Sequence, residues 1–258
     1  MYKPGKITLR ASYARGFRSP SLKELYLYFF DSNHQVEGND SLQSERSHSF
    51  NASANYKFTQ GKTTLVFDLK PFYNIIDNKI SLVQVDPDNL LHYKNENTGK
   101  FSSIGFEISG SLYQSSLLNL KAGYSRIGRK DEAFDSNNFI YSNNWNTSFD
   151  VNFVKSSTKL SIFYKYSGKY PTYFFNSAEE VTIGYINAFN NLDVNVMKKF
   201  WQSRFSVTAG VKNIFDNKEV GGQGIGGGTG HGGGGDASSL VGWGRTYFLS
   251  LKINFVKY

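Results

Sequence analysis

Apolar and polar residues alternate along most of the chain, and this period of two constrains the fold more than any other feature. In SFNASANYKF (49–58), Phe50, Tyr56 and Phe58 share one face while Ser49 and Asn51 take the other. Most such segments have the ~9–11 residues that a tilted strand needs to cross a bilayer. The pattern predicts an all-β antiparallel fold of about ten strands, near 6–15, 46–58, 62–76, 101–113, 117–127, 144–154, 158–167, 188–198, 203–213 and 243–255.

The connections between these segments alternate in length. Short ones fall at 59–62, 114–116, 155–157 and 200–202, and long ones at 16–45, 77–100, 128–143, 168–187 and 214–242. Short turns on one side and long exterior loops on the other are typical of transmembrane β-barrels. Aromatic residues near strand ends, such as Tyr13, Trp145 and Phe255, fit the girdles that such barrels place at the membrane interfaces.

Composition excludes several other classes. The chain has no cysteine, which rules out disulfides and thiolate metal sites. It has no apolar run of the ~20 residues that a membrane helix needs, and MYKPGKITLR at the start lacks the apolar stretch of a signal peptide. The net charge is +8, but lysine and arginine are scattered, so a nucleic-acid partner is not expected. A mean hydropathy of −0.43 suits a membrane barrel, because its two faces cancel.

No catalytic motif is present, and an enzyme is not expected. There is no G-x-S-x-G nucleophile elbow, and the neighbouring Glu179 and Glu180 have no partner cluster. The glycine-rich segment 221–235, GGQGIGGGTGHGGGG, lacks the lysine of a phosphate-binding loop and reads as a low-complexity loop.

Three motifs give the chain a family resemblance. They are SYARGFRSPSLKELY (12–26) followed by GNDSLQSERSHSF (38–50), GVKNIFDNKEV (210–220) and WGRTYFLSLKINF (243–255). In this order they resemble the barrel of TonB-dependent outer-membrane receptors. Ser19 stands where the family usually has alanine, Asp40 where it has proline, and Gln43 and Ser44 where it has lysine and proline.

The resemblance implies a location, a parent architecture and partners. The family's barrel has about 22 strands around a plug domain. Residues 1–258 are therefore expected to be the C-terminal part of such a barrel in the bacterial outer membrane, with the plug absent. Alone, this part would expose two strand edges to lipid and would not transport. Expected partners are outer-membrane lipid, the TonB energy-coupling complex through the missing plug, a small-molecule ligand and, as a further candidate, a surface lipoprotein. No cofactor of its own is expected.

Loop 16–45 is the first candidate for ligand binding. In heme receptors of this family, a histidine between the two segments of the first motif ligates iron, and His34 holds that place. Imidazole is a good axial ligand, and aromatic neighbours would stack on a porphyrin. In loop 214–242, His231 would be a second ligand. The candidate contacts are Arg18, Tyr26, Tyr28, Phe29, Phe30, His34 and His231, with His34 as the heme-iron ligand.

Several alternatives stay open at this point. His34 and His231 could be ordinary solvated loop residues, while His48 and His92 are expected to be structural. The same paired segments occur in cobalamin and siderophore receptors, so heme is favoured as cargo without being fixed by the motif. Rivals from other classes are a passive porin-like channel and a surface-binding barrel without transport.

Overall fold

The computed structural model describes residues 6–31, 35–85, 92–132, 138–175, 181–222, 237–240 and 242–255. None of the helices in these ranges has the length and apolarity to span a membrane. One short helix, α1, covers Leu22–Tyr26. The strands in these ranges are β1 (Ile7–Arg18), β2 (Tyr28–Phe30), β3 (Gln35–Glu37), β4 (Glu45–Gln60), β5 (Thr63–Asp77), β6 (Ile80–Gln84), β7 (His92–Asn97), β8 (Phe101–Gln114), β9 (Leu118–Asp131), β10 (Ile140–Phe153), β11 (Thr158–Ser167), β12 (Tyr170–Phe175), β13 (Val181–Ile186), β14 (Phe189–Phe200), β15 (Phe205–Lys212), β16 (Glu219–Gly222), β17 (Ala237–Leu240) and β18 (Thr246–Ile253).

Ten long strands form one antiparallel sheet, which we call the wall. Its order is β1-β4-β5-β8-β9-β10-β11-β14-β15-β18, so each long strand pairs with the next long strand along the chain. The prediction of ten antiparallel strands is confirmed. The sheet is open, with β1 and β18 as its edges. Strands β9 and β10 extend to Asp131 and back to Ile140, so half of the predicted loop 128–143 continues their hairpin.

The connections at one end of the wall are tight turns. Gly61 (φ 56°), Ser115 (φ 52°), Ser157 (φ 49°) and Trp201 (φ 46°) adopt the left-handed conformation that short hairpin turns require. The predicted short connections are therefore turns that return each strand directly to its neighbour. Every other connection lies at the opposite end of the wall.

The wall has no hydrophobic core of the kind found in a soluble sandwich. Among the described residues, the buried hydrophobic side chains are Ile80 and Val220. Large apolar side chains instead stand on one face, with Phe67 51%, Ile108 48% and Leu249 69% exposed. A water-soluble protein would bury these side chains, whereas a barrel presents them to lipid. We call this the outward face.

A row of aromatic rings crosses the outward face. The ring centroids of Tyr13 and Phe50 lie 5.0 Å apart, and those of Tyr124 and Trp145 lie 4.4 Å apart. Phe50 contacts Tyr73 at 6.4 Å, which carries the row onto a third strand. These rings come from neighbouring strands and lie nearer the loop end than the turn end. They form the exterior girdle expected of a membrane barrel.

The opposite, inner face is polar. Asp150 accepts hydrogen bonds from Ser161 Oγ (2.5 Å) and Asn119 Nδ2 (3.4 Å), and its carboxylate lies 3.1 Å from Lys159 Nζ. Such satisfied polar groups suit a surface that faces a water-filled or protein-filled lumen rather than lipid.

The remaining strands belong to the long loops and build two small sheets. The first has the order β2-β3-β7-β6 and joins loop 16–45 to loop 77–100. The second has the order β12-β13-β16-β17 and joins loop 168–187 to loop 214–242. The sequence predicts these segments only as loops, because each strand is too short to show a period of its own.

Candidate functional site

The GFRSPSLKELY segment forms a rigid exit from β1. Ser21 caps α1: its Oγ accepts a hydrogen bond from the Glu24 N–H (3.3 Å), and Glu24 Oε2 accepts one from the Ser21 N–H (2.7 Å). This reciprocal pair is a capping box, which satisfies backbone donors that a helix start leaves open. A helix of one turn is marginal on its own, so α1 depends on its surroundings.

Arg18 supplies those surroundings. Its Nε and Nη2 donate to the two carboxylate oxygens of Glu45 at 2.8 and 2.9 Å, and its Nη1 donates to both oxygens of Glu24 at 2.9 Å. Glu45 Oε1 also accepts the Ile80 N–H at 2.8 Å. One guanidinium thus joins the end of β1, helix α1, the start of β4 and, through Glu45, the start of β6. We call Arg18, Glu24 and Glu45 the charge clamp.

The charge clamp shifts the titration of its members. Hydrogen bonds from Arg18 hold the pKa of Glu45 below its ordinary value, and the Ile80 N–H acts in the same direction. Burial alone would raise the pKa of Glu24, but hydrogen bonds from the Ser21 N–H and from Arg18 outweigh burial and lower it. The same bonds raise the pKa of Arg18, so all three groups are charged at neutral pH.

A second set of contacts fixes the GNDSL segment. Asn97 Nδ2 donates to the carbonyl oxygens of Gln43 (3.0 Å) and Asn78 (2.8 Å), while its Oδ1 accepts the Gln43 N–H (2.8 Å). Gly38 lies against the backbone of α1, where a Cβ atom would come within 2.7 Å of the Leu25 carbonyl group. The motif therefore needs a glycine at this position because the two backbones touch.

These anchors present an aromatic patch on the first small sheet, which we define as Tyr28, Phe30 and His92. The rings of Tyr28 and Phe30 stack with centroids 4.3 Å apart, and the His92 ring lies 5.7 Å from Phe30. His92 Nε2 lies 3.4 Å from Glu37 Oε2. Lys94 Nζ lies 3.7 Å from the other oxygen of Glu37. Tyr28 is 73% exposed, so the patch offers an open aromatic surface beside a histidine.

The predicted site residues fall into three groups. Arg18 belongs to the charge clamp, where three of its nitrogens are bound to carboxylates. Tyr26, Tyr28, Phe29 and Phe30 stand exposed on the loop. His34 and His231 lie outside the described residues. No cluster of three histidine, aspartate or glutamate side chains that could hold a metal ion occurs in the described part of the chain.

The other two histidines were expected to be structural. His48 lies on the outward face, where its Nδ1 is 2.8 Å from the Tyr13 hydroxyl. His92, in contrast, stands in the aromatic patch because β3 and β7 pair in parallel, which sets Gln35 opposite His92. Sequence reasoning missed this neighbour of Phe30, since nothing in either segment signals the pairing.

The second motif anchors the other loop pair. Asp193 Oδ1 accepts the Asn213 N–H (2.8 Å), and Asp216 Oδ1 accepts the Arg245 N–H (2.7 Å). The Arg245 N–H lowers the pKa of Asp216, helped by the Lys218 ammonium. Nearby, a concave pocket of about 400 Å³ lies at the base of the second small sheet; its lining includes Phe189, Phe215, Asn217 and Val220.

A comparison with protein-family models finds one match, which covers most of the chain. Residues 1–214 match the family model described as TonB dependent receptor-like, beta-barrel. Among curated protein sequences there is no significant match.

Solved structures share the fold at low sequence identity. A mutant of the ferric enterobactin receptor PfeA from Pseudomonas aeruginosa is 21% identical with a TM-score of 0.64, over 95% of this chain and 38% of that one. The FrpB iron transporter from Neisseria meningitidis is 17% identical with a TM-score of 0.64, over 95% and 36%. The copper transporter OprC is 15% identical with a TM-score of 0.66, over 96% and 37%. The chain thus spans somewhat over a third of the length of these structures.

Proposed function

The chain belongs to the TonB dependent receptor-like β-barrel family, and from this premise we propose that it supplies part of an outer-membrane receptor that imports a scarce ligand with TonB-derived energy. The members of this family lie in the outer membrane. The apolar outward face and the aromatic row of this wall fit a lipid environment. The observation that carries the proposal is the joining of long loops into two anchored sheets at one end of the wall. Anchored loops around a lumen can hold a ligand above it.

For the cargo, we propose a metal chelate, with heme as the first candidate. Tyr28 and Phe30 offer stacked, exposed rings, and His34 follows β2 in the same loop. Porphyrin recognition needs aromatic surface and an imidazole ligand together. Tyr26, Tyr28, Phe29 and Phe30 would contact the ligand, and Arg18 would hold the loop that presents them. His231 would approach from the second loop pair.

A ferric siderophore is the second candidate. Its support is that the similar structures include a ferric enterobactin receptor and an iron transporter. Aromatic and cationic side chains such as Tyr28 and Lys94 would also suit an anionic catecholate chelate. Cobalamin remains an alternative cargo, without a contact of its own to favour it. The partners in every case would be the TonB complex and, as a candidate, a surface lipoprotein that meets the exterior loops.

The cargo is tested by titrating the complete receptor with hemin and following the Soret band. With heme as cargo, we expect a saturable Soret shift that His34→Ala abolishes and that His92→Ala weakens without abolishing. Ferric enterobactin and cobalamin serve as competitors. A shift indifferent to His34→Ala would overturn the ligand assignment, and displacement of hemin by ferric enterobactin would favour the siderophore.

Dependence on TonB distinguishes transport from the rival functions. Uptake into cells should require TonB, whereas binding to the cell surface should not. Uptake that continues without TonB would indicate a passive channel, and binding without any uptake would indicate a surface-binding barrel.

A further inference from the structure

A basic pocket lies on the outward face at the exterior end of β1 and β4. It is concave, has a volume of about 500 Å³, and is lined by Arg15, Gly16, Phe17, Ser44 and Arg46. Successive side chains of a strand point to opposite faces. Arg15 and Phe17 therefore lie on the same face of β1 as Tyr13, and Arg18 of the charge clamp lies on the other face. Arg46 likewise shares the face of Phe50 on β4. We call this the outer pocket.

The two arginines of the outer pocket differ from Arg18 in their pairing. Arg18 binds two carboxylates, whereas Arg15 and Arg46 are exposed and make no side-chain hydrogen bond or ion pair with another described residue. Asp77 lies opposite Arg46 in the register, but its carboxylate is 3.7 Å from Lys100 Nζ. The residues that line the pocket include two arginines and no carboxylate, so the pocket has an excess of positive charge.

The aromatic row indicates the level in the membrane at which the outer pocket lies. Tyr13 and Phe50 belong to that row, and Arg15 and Arg46 lie just beyond them on the loop side of the same two strands. The Tyr13 hydroxyl, held at 2.8 Å from His48 Nδ1, marks the polar edge of the row. Interfacial aromatic rings sit at the level of the lipid headgroups. The arginine side chains therefore stand among the headgroups of the outer leaflet.

We propose that the outer pocket binds a phosphate-bearing lipid of the outer leaflet, with Arg15 and Arg46 holding the phosphate. Guanidinium groups bind phosphate oxygens through paired hydrogen bonds and favour this ligand over a point-charge ammonium. Phe17, which is 78% exposed, would pack against the apolar part of the same molecule. A lipid fits better than a soluble anion because Phe17 and the two arginines share the face that carries the exposed apolar side chains. Neither arginine of this site is among the proposed cargo contacts.

Native mass spectrometry of the complete receptor in a non-ionic detergent tests the proposal, with lipid A carrying two phosphates as the probe. We expect Arg15→Gln with Arg46→Gln to weaken its binding by at least about tenfold, since a charge-assisted pair is lost. Lipid A without phosphates should bind the unaltered receptor at least about tenfold more weakly. Arg15→Lys with Arg46→Lys should fall between the two, because charge remains and the paired geometry is lost.

The matched control removes two positive charges from the inner face of the same strands, by Arg10→Gln with Lys57→Gln. It should change binding by less than about twofold. Heat-modifiable migration in detergent gels shows whether each variant is folded. If Arg15→Gln with Arg46→Gln does not fold, the variant Arg15→Lys with Arg46→Lys is used in its place. Equal binding by the outer-pocket variant, equal loss in the control, or equal binding of phosphate-free lipid A would overturn the proposal. Displacement of lipid A by millimolar inorganic phosphate would reassign the pocket to a free anion.

Discussion

Arg18 joins three segments that are separate in sequence. Its side chain is 45% exposed, and exposed ion pairs contribute only about 0–1 kcal/mol each because water screens them. The charge clamp gains from the forked geometry on Glu45 and from the Ile80 N–H that shares that carboxylate. Its effect is therefore local: it decides whether α1 and the base of loop 16–45 stay in place.

The charge clamp should make the base of this loop sensitive to acid. The pKa values of Glu24 and Glu45 are lowered in the folded state, so their contribution is present above the ordinary carboxylate pKa of about 4.3. It is lost as the pH falls through the lowered values. Hydrogen exchange over residues 22–45, corrected for intrinsic rates, should show constant protection from pH 7 to pH 5 and a loss below about pH 4.3.

Arg18→Ala is the control for this pH response. At pH 7, the free energy of opening over these residues should already be lower by about 1 kcal/mol, a small effect because water screens the charges. The remaining pH dependence should be much smaller than in the unaltered protein. An acid response of unchanged size in Arg18→Ala would show that other groups cause it.

At the scale of elements, β3 holds the first small sheet together. It pairs antiparallel with β2 and parallel with β7, so Val36 lies opposite both Phe29 and Tyr93. A central strand needs its N–H groups for the ladder. Two loops that are far apart in sequence therefore depend on three residues, Gln35–Glu37.

Val36→Pro should release both loops at once. Proline removes a donor and fixes φ in the middle of the sheet, whereas Val36→Ala keeps the backbone intact and serves as the matched control. Protease added to intact cells should then cut within both 16–45 and 77–100, while the wall stays folded in heat-modifiability gels. Cleavage confined to loop 16–45 would mean that β3 does not hold β7.

At the scale of the whole molecule, the two faces of the wall decide where the chain is stable. On β8, Ile108 belongs to the outward face, opposite Leu69 and Tyr124. Its neighbour Ser109 belongs to the inner face, opposite Asp68 and Gly123. Both lie near the middle of a strand of 14 residues, so they differ in the face and not in the depth.

Arginine at these two positions should therefore have opposite consequences. Ile108→Arg places a charge in the hydrocarbon region and should lower the free energy of unfolding by about 2–4 kcal/mol. Ser109→Arg faces the lumen beside Asp68 and should change it by less than about 1 kcal/mol. Urea unfolding of the complete receptor in lipid vesicles measures both, and equal effects would contradict the assignment of the faces.

The wall could be predicted from the sequence with little error. Alternation is a local property, so the ten strands, their short turns and the apolar face followed from stretches such as 49–58 and 103–112. The resemblance of GFRSPSLKELY and GNDSL to a receptor motif was also visible, and the family match agrees with it. The role of the motif was not visible. The sequence predicts Arg18 as a candidate ligand contact at the start of a loop, and only the fold shows which carboxylates surround it.

What the sequence determined by itself is thus the wall: an antiparallel meander of ten strands with one lipid-facing side, because period, turn residues and loop lengths act over a few residues at a time. The tertiary structure alone decided how the loops meet. The parallel pairing of β3 with β7, the approach of His92 to Phe30 and the contact of Glu45 with Ile80 join segments distant in sequence. Such contacts depend on strand order and on how each loop leaves the wall, and these are properties of the assembled sheet.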